Sequence, residues 1–212
     1  MILLTSYYHT HHQQRQEEIN TCLQKNCDQE AIHRIILLND AFYPLDFLKE
    51  GSEEKIEQHL VNSPGRLYYR DAIAFINEFL VGEIVILANS DIYMDRSLFL
   101  LNDYDFSNTF LALSRYEHGN VAIGNKGPCS QDTWIFQSPL RVDLSLIDFP
   151  FGMAGCDNRL ARIMHDAGYR VLNPCRSIMT YHMHRSEHRT YNQSVDIVRG
   201  DYMDVEPSFI IE

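Results

Sequence analysis

Three short stretches of this 212-residue chain carry side chains able to do chemistry. The first is Asn89-Ser90-Asp91, with Asp95 following, directly after the apolar run Ile84-Val85-Ile86-Leu87. A strand that ends in a carboxylate presents a hard oxygen at the sheet rim. Such oxygens suit Mg²⁺ or Mn²⁺, ions that also take oxygens from substrate phosphates. The same three residues are also ordinary turn composition. The second stretch is His182-Met183-His184, with His188 nearby. On a strand, positions 182 and 184 point to one side. Three readings stay open: a zinc pair, one imidazole assisting a metal held by Asp91, or a polar cluster on a loop. No acid or cysteine at ligand spacing completes a tetrahedral zinc set locally. The third is Gly155-Cys156-Asp157-Asn158. Glycine before a helix lets a ligand approach the backbone. Asp157 can cap that helix or accept a proton from a hydroxyl. The two roles compete, because the helix end is expected to depress its pKa. Among the cations Arg66, Arg70, Arg115, Lys126, Arg159, Arg185 and Arg189, a few can neutralise a diphosphate. His9, His11 and His12 read as loop residues.

These groups need a scaffold, and the apolar pattern supplies one. Ile2-Leu3-Leu4, His33–Leu38, Leu67-Tyr68-Tyr69 and Glu83–Ala88 read as strands. Between them lie a weakly amphipathic helix over 13–25, with Ile19, Cys22 and Leu23 on one face, and a short helix opened by Gly51-Ser52-Glu53-Glu54 with Ser52 as cap. A third helix, capped by Asp71, has apolar positions Ala72, Phe75, Ile76, Phe79 and Leu80 and ends at Gly82. Alternating strand and helix predicts an open α/β sheet with right-handed crossovers, with ligands beyond the carboxyl ends of the strands. Those ends, Thr5-Ser6-Tyr7, Asn39-Asp40 and Asn89-Ser90-Asp91, are all polar. Farther on, Phe110–Arg115, Thr133–Phe136 and 177–180 read as strands and 119–130 and 149–155 as loops. Asp157 begins a helix through Leu160, Ala161, Met164 and Ala167, stopped by Gly168. Two layers around one sheet account for the whole length.

The composition excludes several classes. A hydrophobic share of 45% and a charged share of 22% describe a folded domain rather than a disordered or fibrous chain. A net charge of −11 opposes a sequence-independent grip on nucleic acid. No apolar run reaches the ~18 residues of a membrane span, and no signal peptide is visible. Five scattered cysteines without CxxC spacing point to free thiols in a reducing compartment.

In this order the motifs resemble the GT-A fold, family 2-like glycosyltransferases over nearly the whole chain, and are similar to the N-terminal domain of large multidomain chlorella-virus members. Ile2 to Tyr7 resembles the first strand and nucleotide turn. Arg70-Asp71-Ala72 through Asp95 resembles the stretch into the DxD motif, 149–160 the acceptor loop and acidic motif, and Tyr181 to His184 the late metal histidine. The departure is Asn89 at the first DxD position, an amide and a poorer ligand for a hard dication. The resemblance implies an α/β, Rossmann-like single domain with a mostly parallel central sheet flanked by helices. Residues 1–95 would form a nucleotide-binding half and 96–212 an acceptor and catalytic half, the first domain of a longer chain. It implies that Thr5, Ser6 and Tyr7 hold the nucleoside, with the Tyr7 ring on the base; that Asp40 bonds the base; and that Arg70 contacts base or phosphate. Asn89 and Ser90 would lie along the nucleotide. Asp91 with His184, or alternatively His182, would bind Mn²⁺ (or Mg²⁺). Asp132, Trp134 and Gly155 would face sugar or acceptor, and Asp157 would be the base of an inverting transfer. The expected donor is a UDP-sugar of the UDP-glucose or UDP-rhamnose type, the acceptor a glycan or glycoprotein, and the location cytoplasmic, in a host cell if viral. A retaining transferase and a non-catalytic nucleotide or carbohydrate-binding module are the alternatives. A nucleotidyltransferase is disfavoured because Thr5-Ser6-Tyr7-Tyr8 has no phosphate-loop glycine.

Overall fold

Unbroken apolar runs suit strands covered on both faces, and the first run is buried at all four positions. A computed structural model describes residues 1–62, 65–119, 130–186, 192 and 195–210. Its strands are β1 (Ile2–Thr5), β2 (Arg34–Asn39), β3 (Ile56–Leu60), β4 (Ile84–Ala88), β5 (Ile92–Met94), β6 (Thr109–Ser114), β7 (Tyr116–Glu117), β8 (Gln131–Gln137), β9 (Arg170–Leu172) and β10 (Thr180–His182). Its helices are α1 (Gln13–Cys27), α2 (Tyr69–Phe79) and α3 (Cys156–Asp166).

The central sheet has seven strands in the order β3-β2-β1-β4-β8-β6-β9. The first four are parallel. Strand β8 runs antiparallel between β4 and β6, and β9 lies parallel to β6. Because side chains alternate, the central strands feed two cores. Leu4, Ile36, Leu87 and Trp134 pack with Tyr69, Ile76 and Leu160 of α2 and α3. Leu3, Ile35, Ile86 and Ile135 pack with Ile19 and Leu23 of α1. Helices therefore flank both faces, as expected from the sequence. The antiparallel entry of β8 pairs Thr133 with Ala88, so the start of β8 shares a rim with the end of β4.

Several elements differ from the sequence reading. Leu67–Tyr69 is not a strand: Tyr68 makes one isolated bridge, to Pro150, and Tyr69 opens α2. Its ring stacks on Phe151 at 4.0 Å and meets Trp134 edge-on, so tertiary packing claims it. The third strand is instead Ile56–Leu60, reached from a 3₁₀ turn over Ser52–Lys55. Ser52 does not cap that turn; Gly51 precedes it at φ 82° with no side-chain cap. Asp71 lies within the first turn of α2 rather than at its cap, which is Tyr68. One sheet does not account for all strands, since β5, β10 and β7 form a second sheet of three. A C-terminal run lies beside β9 and α3: Pro207 bridges Asn173, and Val198 donates its N–H to Ala154. Cys22, Cys27, Cys156 and Cys175 are buried free thiols; Cys129, Lys126, His188, Arg189 and nearly all of the 119–130 loop lie outside the described residues. Among the described residues no helix is long and apolar enough to cross a membrane.

Candidate active site

The second sheet places the histidines. Strand β10 pairs antiparallel with β5, setting His182 opposite Ile92. The ladder continues one step, with Met183 donating its N–H to the Asp91 carbonyl at 2.9 Å. Residues 182 and 184 therefore flank the position opposite Asp91, and both imidazoles turn toward its side chain. His182 Nε2 lies 3.2 Å and His184 Nδ1 3.7 Å from Asp91 Oδ2. The three ligand atoms lie within 4.8 Å of one another.

Burial alone would raise the Asp91 pKa. The charges of His182 and Arg15 overcome it and hold the carboxyl well below the usual carboxylate range. Burial likewise opposes a charge on His182, but Asp91 and then Glu117 lift its pKa to about 9. Glu117 Oε2 receives His182 Nδ1 at 3.1 Å, and this fixes which nitrogen faces Asp91. Arg15, on α1, reaches Asp91 Oδ2 through Nη2 at 2.8 Å.

The donor set fits a divalent ion. One carboxylate and two neutral imidazoles suit Mn²⁺, which accepts both oxygen and nitrogen, better than the oxygen-seeking Mg²⁺, and an ion binding there displaces the His182 proton. Glu117→Ala removes the anchor of His182 and is expected to weaken Mn²⁺ binding about 10- to 100-fold, read by calorimetry.

Asp91, His182, His184 and Arg15 line an open cleft of about 290 Å³ beyond the β1 and β4 strand ends. Ser6, Tyr8, Asn89 and Ser90 line it together with Arg66, Arg115, Asp132, Gly152, Gly155, Cys156 and Asp157. Asn89 donates its side-chain amide to Asp132 Oδ1 at 2.5 Å, while its own Oδ1 is buried without a partner. Arg115 pairs with Asp132 and, at 3.4 Å, with Glu117.

The helix α3 is capped by Gly155 at φ 77°. A Cβ there would lie 3.1 Å from the Val198 carbonyl oxygen and 3.2 Å from the Tyr202 ring. Asp157 thus sits inside the first turn, where its Oδ2 accepts the Gln131 N–H at 3.2 Å. The expectation of a depressed pKa fails. Burial, then the nearby Asp132, push Asp157 up to about 7, outweighing its backbone hydrogen bonds. The folded chain holds this proton more tightly than the unfolded chain, whose value stays near 3.8. Stability is therefore lost as pH rises from that value through 7. Asp157→Asn should raise stability by more than about 1 kcal/mol at pH 8, with the gain vanishing toward pH 4 in thermal melts.

Other residues singled out in the sequence lie elsewhere. Tyr7 is 2% exposed and stacks on Phe47, with its hydroxyl donating to Asn20, so its ring is enclosed in protein; the neighbouring Tyr8 lines the cleft instead. Thr5 is buried, with Oγ1 unpartnered. Asp40 is exposed and receives the Tyr43 hydroxyl. Arg70 pairs with Asp71 and Asp148 away from the cleft lining. Trp134 is fully buried beneath the cleft, edge-on to Phe151. His12 caps α1 by accepting the Arg15 N–H. Arg15 and Glu18 belong to the site without a motif to mark them, although both sit on the helix face of Ile19, Cys22 and Leu23. A charged pair on an apolar stripe was the available signal. Glu117 carried none.

No family model and no curated protein sequence matches this chain. Solved structures do. The central seven-stranded sheet flanked by helices matches the GT-A fold of glycosyltransferases. S. aureus TarS 1–349 in complex with UDP-GlcNAc superposes with a TM-score of 0.54 at 13% identity, over 93% of this chain and 61% of that one. The same segment with UDP gives 0.51 at 11% identity, over 85% and 59%. A longer S. aureus TarS structure gives 0.52 at 12% identity, over 88% and 37%. The chain thus spans less than two thirds of the length of each.

Proposed function

We propose that this chain is a metal-dependent glycosyltransferase that moves a hexose from a UDP-sugar to a hydroxyl of a glycan acceptor, with inversion. The observation that carries the reading is one strand-end cleft holding both a carboxylate-diimidazole triad and a carboxyl group with a pKa near 7. The TarS structures that share the fold hold UDP-GlcNAc and UDP, which favours a uridine nucleotide here too.

Asp91, His182 and His184 would hold Mn²⁺, which when bound supplies neutralising charge to the diphosphate. Arg66 and Arg115 add fixed positive charge along the same cleft. Asp157 takes the proton of the acceptor hydroxyl as its oxygen bonds to the anomeric carbon. The bond from that carbon to the diphosphate breaks on the opposite side, giving the glycosylated acceptor and UDP. A base with a pKa near 7 is ionised for a useful fraction of the time and still basic enough to act. In this reading residues 1–95 carry the nucleotide and 96–212 supply the base and the acceptor side.

The test is a panel of nucleotide sugars screened for thermal stabilisation with and without Mn²⁺. UDP-sugars should stabilise the chain only with the ion. A panel with no stabilising member overturns the proposal.

A further inference from the structure

Arg15 is a buried cation in a place where a metal-binding site has little use for one. It is 7% exposed on α1, and three groups fix it. Nη2 reaches Asp91 Oδ2 at 2.8 Å, while Nη1 lies 3.3 Å from Glu18 Oε2 and 3.4 Å from the Met183 carbonyl. Glu18 is itself buried and anchored, receiving the Ser186 N–H at 2.7 Å and hydroxyl at 2.8 Å. The guanidinium is therefore not free to swing away when an ion arrives.

We propose that Arg15 is a built-in counter-cation of the Asp91 site. It makes the site bind a divalent ion weakly alone and well only together with a nucleoside diphosphate. The inference rests on the reading of Asp91, His182 and His184 as metal-binding.

The reasoning is electrostatic. Asp91 is the one carboxylate of the triad, and its charge is already matched at contact distance. A dication on the same carboxylate meets a fixed positive charge a few ångströms away. At an effective dielectric near 20 such a repulsion exceeds a tenfold loss of affinity, roughly speaking. A diphosphate brings the missing negative charge, and Arg15 lines the cleft in which it would lie. Ion and nucleotide then reinforce one another reciprocally. Without Arg15, Asp91 and Glu18 would lose the cation they share, and a lone ion would replace its charge.

The experiment is calorimetric titration of MnCl₂ into wild type, Arg15→Met, Arg15→Gln and Arg15→Lys, each with and without saturating UDP. The Met and Gln variants should bind lone Mn²⁺ at least about tenfold more tightly than wild type, with a smaller gain from UDP. Arg15→Lys keeps the charge and should stay within about threefold. Lone-ion affinity in the neutral variants equal to or below wild type overturns the proposal. Equal affinity for lone Mn²⁺ and for Mn²⁺ with UDP in the wild type also sinks the idea. Asp91→Asn separates the two levels. Mn²⁺ binding that persists in Asp91→Asn defeats the metal reading itself. Binding that needs Asp91 but ignores Arg15 defeats the counter-cation alone.

Discussion

Asp157→Asn is expected to lower sugar transfer by roughly 10²- to 10⁴-fold while leaving UDP affinity in Mn²⁺ unchanged. The substitution keeps the shape and an oxygen able to accept the Gln131 N–H, so the start of α3 stays in place. What it removes is the site that takes a proton. The wild-type kcat/KM should rise with pH through about 7, because the carboxyl must be ionised to act and burial beside Asp132 holds it protonated below that value. The asparagine variant should lose this limb of the profile. Retained turnover would reduce Asp157 to a structural part of the helix start. A product with retained anomeric configuration, read by NMR, would exclude the single displacement.

The second large effect is at Asp91. Asp91→Ala should abolish Mn²⁺-dependent UDP binding in calorimetry, since it deletes the only carboxylate of the triad. It should also cost stability, up to about 3–5 kcal/mol, because Arg15 and protonated His182 would each lose a buried carboxylate and keep only Glu18 and Glu117. Asp91→Asn is the milder companion that separates lost binding from lost folding. Unchanged UDP affinity in Mn²⁺ would place the ion at another position.

The central strands could be read because each is a run of apolar residues buried on both faces, a pattern that leaves little choice. Strand β3 could not. Ile56-Glu57-Gln58-His59-Leu60 lies at the sheet margin, half-exposed, and without a second covered face its pattern carries no strand signal. Leu67-Tyr68-Tyr69 misleads for the opposite reason: its aromatic residues suit a strand, but a stack on Phe151 draws Tyr69 into a helix. At the site, Asp91 could be picked out as the acid after a buried strand, and His182 and His184 as an alternating pair. Their meeting depends on pairing of β5 with β10, a contact nearly ninety residues apart in sequence. Arg15 and Glu117 join only through that tertiary arrangement. The environment of Asp157 is hidden from the sequence, because local sequence shows the helix end but not the burial or the nearby Asp132 carboxyl.

The two margins of the central sheet are not equivalent. Beside β9, the C-terminal run sets Pro207 against Asn173, and a proline has no N–H to offer a further strand. Among the described residues, β3 is the other margin, with β2 as its one strand neighbour, and an open strand edge is a template on which another polypeptide can build. Its guard is charge: Glu57, paired with Arg34 at 2.7 Å, stands on that strand, and copies of a chain with net charge −11 repel one another. On this margin, resistance to edge-to-edge pairing through ionised side chains weakens wherever salt or acid suppresses their charge.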